Sequence, residues 1–457
     1  MKRAVAVLIT LTLLSSGALA EGRSFLLNRD VGADIYSWDG ALLTQPGAYL
    51  SGYSITTDVT QPEKELFAAQ SASQQIPAGG DYVPPRCALI DWQGKQLTDF
   101  KYDSLEYDAD ADAVIYSING VFGAMTRSLQ ELVPCKYDAV LPDGEGGFLL
   151  DPHGDESAPA VEHMAKGASP EPTGVNARFY WGSMVEGLVY ATDENGYYGF
   201  LNGQGQWAIS PQFEYAQSFS NGYAIVKQKN KTGLIEKTGK WTVKPVYDDD
   251  RGLLSDGSAA LLMKGTRAYL VRPSDGQQLY SLKLTKDGYV STGSTGPVIA
   301  VTDKGKTTLY SASGKSIVSL PDSYSFDLFS PLPEGKLLAS SATDALLMDS
   351  TGKALYKAQG LNYLDTVDGK VLLCSSRFKT HAVKYPGDAK PTTEVIYSTY
   401  RFGLVDSDGN ALLPMVYKQL YPLIPGRYYA EDAKHWGVID QTGKWIVSGS
   451  QYDDLVD

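Results

Sequence analysis

Apolar residues along this chain come in short runs cut by polar turns, and they almost nowhere recur at the three- and four-residue spacing of an amphipathic helix. Ala224-Ile225-Val226, Ala259 to Met263 and Ala345 to Met348 are such runs, each bounded within a few residues by Gly, Asn, Asp or Lys. The pattern predicts many strands of five or six residues joined by tight turns, and so an all-β fold. Helix-like spacing occurs once, where Leu66, Phe67 and Gln70 fall on one side of Glu63–Gln75, and that segment reads as a surface loop with nascent helix.

The turns are periodic. One copy runs Gly199-Phe200-Leu201-Asn202-Gly203-Gln204-Gly205-Gln206-Trp207-Ala208-Ile209-Ser210-Pro211-Gln212-Phe213. The next runs Gly233-Leu234-Ile235-Glu236-Lys237-Thr238-Gly239-Lys240-Trp241-Thr242-Val243-Lys244-Pro245-Val246-Tyr247, matching it at Gly, at the polar residue, at the turn Gly, at Trp, at Pro and at the final aromatic. The frame returns at Gly403 to Tyr417 and Trp436 to Tyr452, and upstream at Leu89 to Tyr102 and Gly123 to Tyr137.

Fainter copies fill the middle, where Gly276, Gly314 and Gly352 mark the turns. From Gly205 the turn glycines follow at spacings of 34, 37, 38 and 38 residues, and Gly409 to Gly443 is again 34. Such regularity implies one supersecondary unit per period, about ten in all, each stacked because it buries too little apolar surface alone. Residues 256–360 are therefore expected to continue the array. A period of this length holds four short strands, which favours one or two β-propeller-like bodies; the alternative is an open curved β-repeat array.

Asn202 to Phe213, Glu236 to Tyr247 and Trp436-Gly437-Val438-Ile439-Asp440-Gln441-Thr442-Gly443-Lys444-Trp445 resemble WG-containing repeats of bacterial proteins. Only Trp436-Gly437 keeps the Trp-Gly pair; the other copies read Tyr198-Gly199, Thr232-Gly233, Phe402-Gly403 and Phe122-Gly123. The resemblance implies β-rich repeats on exported or surface proteins and transfers no catalytic residue.

The N-terminus changes the picture of compartment. Lys2 and Arg3 precede the apolar run Ala4 to Leu14, and Ala18-Leu19-Ala20 has the small-x-small form of a cleavage site, so residues 1–20 are expected to be a signal peptide. The run is too short to span a bilayer, which needs about 20 apolar residues, and no stable membrane insertion is expected. Residues 21–150 then form an N-terminal β-repeat region and 177–457 a C-terminal one. Between them, 151–176 is rich in Pro, acidic and small residues and reads as a flexible linker or loop. Ser375–Thr393 reads as a second irregular insertion.

Charge excludes one partner class. The net charge of −13 becomes −15 once Lys2 and Arg3 are removed, so the surface repels phosphate backbones and no nucleic acid is expected. Cys87, Cys135 and Cys374 allow at most one disulfide, and core packing is the simpler role for all three. His153, His163, His381 and His435 show no zinc spacing. Asp91, Asp406 and Asp440 share the position before a turn Gly, which fits Asp bonding the turn backbone better than it fits a glycosidase pair. Asp406, Asp408 and Asn410 alternate like calcium ligands, but Ala411 stands where that loop needs Gly. Trp207, Trp241 and Trp445 recur at a fixed position and read as packing residues.

No catalytic, cofactor-binding or metal-binding residue is assigned, and no cofactor is implied. The sequence reads as an exported, non-catalytic binding or protein-interaction module, secreted or at the cell surface, whose ligand is an unidentified protein, peptide or carbohydrate. The alternatives are a structural scaffold of a cell-envelope assembly and, with less support, a glycoside hydrolase.

Overall fold

A computed structural model describes residues 24–450 except 30–31, 46–47, 57–64, 72–84, 155–159, 180–183, 294–297, 328–334, 342–343, 360, 368–369, 384–391 and 425. The expected signal peptide lies outside the described residues. Among those described there is no α-helix, and the strands form nine antiparallel sheets in which each strand pairs with its neighbour in sequence. The first sheet has five strands, from Ser24–Arg29 to Cys87–Asp91, and the second has seven, from Ser104–Asp108 to Glu171–Asn176. A three-stranded sheet, Leu188–Thr192 to Trp207–Phe213, is followed by six four-stranded sheets that begin at Tyr215, Asp249, Tyr289, Ser325, Leu361 and Gln419.

The chain divides into two compact units. One comprises residues 1–107 with 116–119 and 423–426, and the other comprises 108–115, 120–422 and 427–457. In the first, Leu26, Ile35, Tyr49, Phe67, Ala88 and Ile90 make a core on the five-stranded sheet. In the second, one core lies on the seven-stranded sheet, and others lie between successive sheets. Ala224, Val226 and Ile235 pack toward Leu188, Phe200, Ile209 and Phe213 of the preceding sheet. Ile225, Leu234 and Val243 of the same sheet pack toward Ala260, Leu262 and Val271 of the following one. Strands buried on both faces read as unbroken apolar runs.

The repeat motif is one packing unit. A Cβ on Gly233 would lie 2.5 Å from the Val243 carbonyl oxygen, 2.8 Å from the edge of the Trp241 ring and 2.9 Å from the Pro245 nitrogen. Gly199 meets Ile209, Trp207 and Pro211 in the same way, at 2.5, 2.9 and 2.8 Å. The motif Gly therefore makes room for the Trp eight residues on, beside a register shift that bulges the last strand. In the C-terminal copy the partnership differs, and the ring of Trp436 lies against Gly449.

The turn Gly has a second partner. Gly239 takes φ +80° to close the turn from Glu236 to Lys240, and its Cα faces Ile209 in the last strand of the preceding sheet, 3.1 Å from where a Cβ would stand. The contact recurs along the second unit: Gly276 faces Thr242, Gly314 the Tyr280 ring, Gly352 Val318, Gly409 Tyr356 and Gly443 Leu413. The faint copies over 256–360 keep this seat and form three complete sheets, Asp249–Lys283, Tyr289–Pro321 and Ser325–Gln359, so they continue the repeat body.

Three expectations are corrected. Leu66–Ser71, read as loop with nascent helix, is a strand between Tyr49–Ser54 and Cys87–Asp91; Leu66, Phe67, Ala68 and Ala69 are all buried, and burial on both faces erases the alternation that marks a strand. Segment 151–176 contributes Ala160–Met164 and Glu171–Asn176 to the seven-stranded sheet, since Val161 and Met164 reach its core despite the prolines around them. Ser375–Thr393, read as irregular, is largely hairpin, with Lys370–Val383 paired to Thr392–Val405.

Gly233→Ala is expected to destabilise the protein by about 1–3 kcal/mol, because the methyl group meets backbone that has no room to withdraw. Gly154, which has open space around it, should accept Ala within about 0.5 kcal/mol. Equal denaturation midpoints for the two variants would contradict this account of the motif.

Candidate functional site

The carboxylates singled out by the repeat serve its turns. Asp91 Oδ1 accepts from the N–H groups of Gln93 and Lys95, each at 2.9 Å. Asp406 Oδ1 accepts from Asp408 and Asn410, Asp440 Oδ1 from Thr442 and Lys444, and Asn202 Oδ1 from Gln204 and Gln206. Asp406 Oδ2 takes the Asn410 amide at 2.8 Å, while Asp408 pairs with Lys336 at 2.8 Å. These residues form a turn with its acceptors occupied rather than a cation cage. Among the described residues no group of three or more His, Cys, Asp or Glu is placed to hold a metal ion.

The aromatic and sulfur residues also fall into packing roles. Trp207, Trp241 and Trp445 lie partly buried against the inter-sheet cores, and Trp241 meets Phe213 edge-on at 5.8 Å. Cys87 is buried and Cys135 donates toward the Val121 carbonyl; the two are not bonded to each other. His163 Nε2 pairs with Asp143 at 2.9 Å, and His435 stands 5.7 Å from the Trp445 ring. The side chains of His381 and Cys374 lie outside the described residues.

Sequence reasoning missed a cluster in the second sheet and just beyond it. Asp138 on strand Glu131–Pro142, Asp151 on strand Phe148–Pro152, His153 after that strand and Arg178 after strand Glu171–Asn176 converge. Arg178 Nη1 lies 2.9 Å from Asp138 Oδ2 and 4.0 Å from Asp151 Oδ2, and its Nη2 donates to the Gly154 carbonyl at 3.1 Å. His153 Nδ1 contacts the other oxygen of Asp138. Asp151 is completely buried, and neither of its oxygens accepts a well-aligned hydrogen bond.

Environment drives the two carboxyls apart. Burial pushes Asp151 up to about 7; the Arg178 charge and the Phe179 N–H pull it back, and Asp138 pushes it further up. Burial also acts upward on Asp138, but hydrogen bonds from His153 and Arg178 outweigh it and hold this carboxyl below its usual range. A protonatable carboxyl beside an ionised one is the pattern of an acid and base pair. Here, however, the would-be acid is sealed from solvent, so a glycan does not reach it. The cluster clamps three segments of chain around a group that holds its proton near neutrality.

The sequence signal for Asp151 pointed elsewhere, since Leu149-Leu150-Asp151-Pro152-His153-Gly154 has the form of the repeat turn Leu89-Ile90-Asp91-Trp92-Gln93-Gly94. The strand instead runs on through Asp151 to Pro152, and Arg178, brought from 27 residues away, donates to the Gly154 carbonyl.

Two outcomes are expected. Asp440→Ala, which leaves two turn N–H groups without their acceptor, should cost about 1–2 kcal/mol in urea unfolding, whereas Asp440→Asn, the arrangement native at Asn202, should stay within about 0.5 kcal/mol. For Asp151, the folded carboxyl binds its proton more tightly than the unfolded one, whose pKa is about 3.9. Its contribution is therefore fully present below about pH 4 and is lost as pH rises through about 7. Asp151→Asn should melt like the wild type at pH 4.5 and be more stable at pH 8, by an amount on the order of a few kcal/mol. Parallel pH profiles for the two proteins would show that Asp151 is not the group that titrates.

The family of WG containing repeats matches residues 198–231 and 436–457, two of the copies that carry the motif most fully. No curated protein matches the sequence. Among solved structures, a eukaryotic initiation factor is similar at 10% identity with a TM-score of 0.39, covering 74% of this chain and 86% of its own. BamB from Moraxella catarrhalis is similar at 10% identity and a TM-score of 0.31, covering 62% and 96%, and apo AztD from Citrobacter koseri at 12% and 0.30, covering 64% and 94%.

Proposed function

We propose that this protein is an exported, non-catalytic scaffold that holds protein partners in a cell-envelope assembly, its sheets closing into one or two propeller-like bodies. The observation that carries this reading is the use made of the repeat's polar and aromatic residues. Asp91, Asn202, Asp349, Asp406 and Asp440 close turns, and the repeated Trp residues pack between sheets. What the body offers to solvent is instead a set of large apolar residues on strands, among them Val246, Tyr289, Leu412 and Val416, with Val246 and Val416 at equivalent positions one residue before the final aromatic of their copies. Four strands per unit support closure, and the N-terminal 20 residues with the acidic remainder support export.

Carbohydrate binding has less behind it. Tyr190, Tyr198 and Tyr215 lie in series 6.2 Å apart, but their planes meet at 47° and 63° and make no flat platform for a sugar ring. A hydrolase reading would need a carboxyl pair open to substrate, and Asp151 of the Asp138 and Asp151 pair is sealed from solvent.

The test is made in the native host. The chain should be recovered outside the cytoplasm without residues 1–20 and should migrate in a complex of defined size. Val246→Lys with Val416→Lys should keep the thermal midpoint within a few degrees yet shift the protein out of that complex. Cytoplasmic retention, or migration as a free protein with the wild-type sequence, would overturn the proposal.

A further inference from the structure

Asp151-Pro152 is the only Asp-Pro pair in the sequence. The bond that joins them is a tertiary amide, with no N–H on Pro152 and a nitrogen that leaves readily once it is protonated. An aspartyl carboxyl reaches the carbonyl carbon of its own residue by closing a five-membered ring, so nucleophile and scissile carbonyl are held together by the same side chain. In an unfolded chain this step is confined to acid. The departing nitrogen needs a proton, and an unfolded aspartyl carboxyl has given up its own above about pH 4.

The fold alters these conditions at Asp151. The residue is completely buried, and neither carboxyl oxygen accepts a well-aligned hydrogen bond that attack would have to break. The bond itself falls in a bulge, since Asp151 pairs with Ala139 and Pro152 with Tyr137, which leaves Asp138 as the extra residue opposite it. A bulge disrupts the ladder locally, so regular pairing does not fix this peptide group. The charged and titratable groups around the carboxyl are Arg178, 4.0 Å from Oδ2, and Asp138 on the neighbouring strand, with His153 bound to Asp138. Burial outweighs the Arg178 charge, and the carboxyl keeps its proton up to about 7. The proton that acid solution supplies to an unfolded Asp-Pro bond is thus already in place at the folded one.

We propose that the protein cleaves its own bond between Asp151 and Pro152. An Oδ atom of Asp151 adds to the Asp151 carbonyl carbon, the carboxyl proton passes to the Pro152 nitrogen, and the C–N bond breaks. A cyclic anhydride remains on Asp151 and Pro152 becomes a free amine. Water then opens the anhydride, which restores the side-chain carboxyl and leaves a new terminal one, so the net change is hydrolysis and one water is consumed. The two pieces stay assembled. Phe148, Leu149 and Leu150 of the first remain paired with strand Ala160–Met164 of the second, and Asp138 of the first holds His153 and Arg178 of the second.

This single self-processing event stands apart from the scaffold reading and is tested on the chain as the cell processes it, purified with protease inhibitors. The protein is incubated at 37 °C between pH 4 and pH 8, both folded and in 6 M guanidinium chloride. Mass spectrometry after denaturing electrophoresis should find one break, with a piece that ends at Asp151 and a piece that begins Pro152-His153-Gly154. At pH 6 the folded chain should cleave at least tenfold faster than the unfolded one, and its rate should fall as pH rises past about 7, where the folded carboxyl loses its proton. Asp151→Asn should slow the break at least tenfold at pH 6. The comparison of folded with unfolded wild type gives an independent reading should that variant misfold. An intact chain throughout, a break at another bond, equal rates folded and unfolded, or an undiminished break in folded Asp151→Asn would each overturn the proposal.

Discussion

The second compact unit depends on the seat that each sheet offers to the turn of the next. A four-residue turn closes over a glycine with positive φ, and that glycine rests on the last strand of the preceding sheet, at Ile209 for Gly239 and at Leu413 for Gly443. A side chain there would open the interval between the sheets and expose the cores on either side. Where an Asp or Asn heads the turn, as Asn202 and Asp440 do, it serves the same seat by holding the turn N–H groups in place, and in the copies around Gly199 and Gly233 the Trp over the motif glycine fills the space beside it.

Against this uniform background the Asp138, Asp151 and Arg178 cluster is a local exception. The repeat's Asp91, Asp406 and Asp440 lie at turns with oxygens occupied, but Asp151 is buried with an arginine at 4.0 Å and no aligned donor. Burying an ionised carboxyl so poorly satisfied is costly, and the group responds by keeping its proton. Arg178 meanwhile ties the second sheet to the strand that opens the third through Asp138, Gly154 and the backbone pairing of Arg178 with Thr192.

Much of the repeat was legible because its causes are local. Gly239 needs positive φ, Asp440 needs two N–H groups within four residues, and Trp241 needs a glycine eight residues back, so each leaves its mark in a short window. The same reasoning fails where the cause is distant. Leu66–Ser71 is a strand because two other strands flank it, and its apolar run is equally consistent with a buried helix until those partners are known. Ala160–Met164 is surrounded by residues of loop composition and is ordered by the sheet it joins. Arg178 meets Asp151 across a turn of chain whose sequence says nothing about the encounter.

The seat has a consequence for how such a chain changes length. Since every sheet of the second unit presents the same kind of surface to its successor, a duplicated unit finds its place already shaped, and so does the unit that followed the original. Growth or loss in whole multiples of the period keeps every turn glycine on a seat, which a half-period does not. The middle copies lack the motif Trp yet keep Gly276, Gly314 and Gly352 seated, so the seat can be kept where the rest of the motif is not.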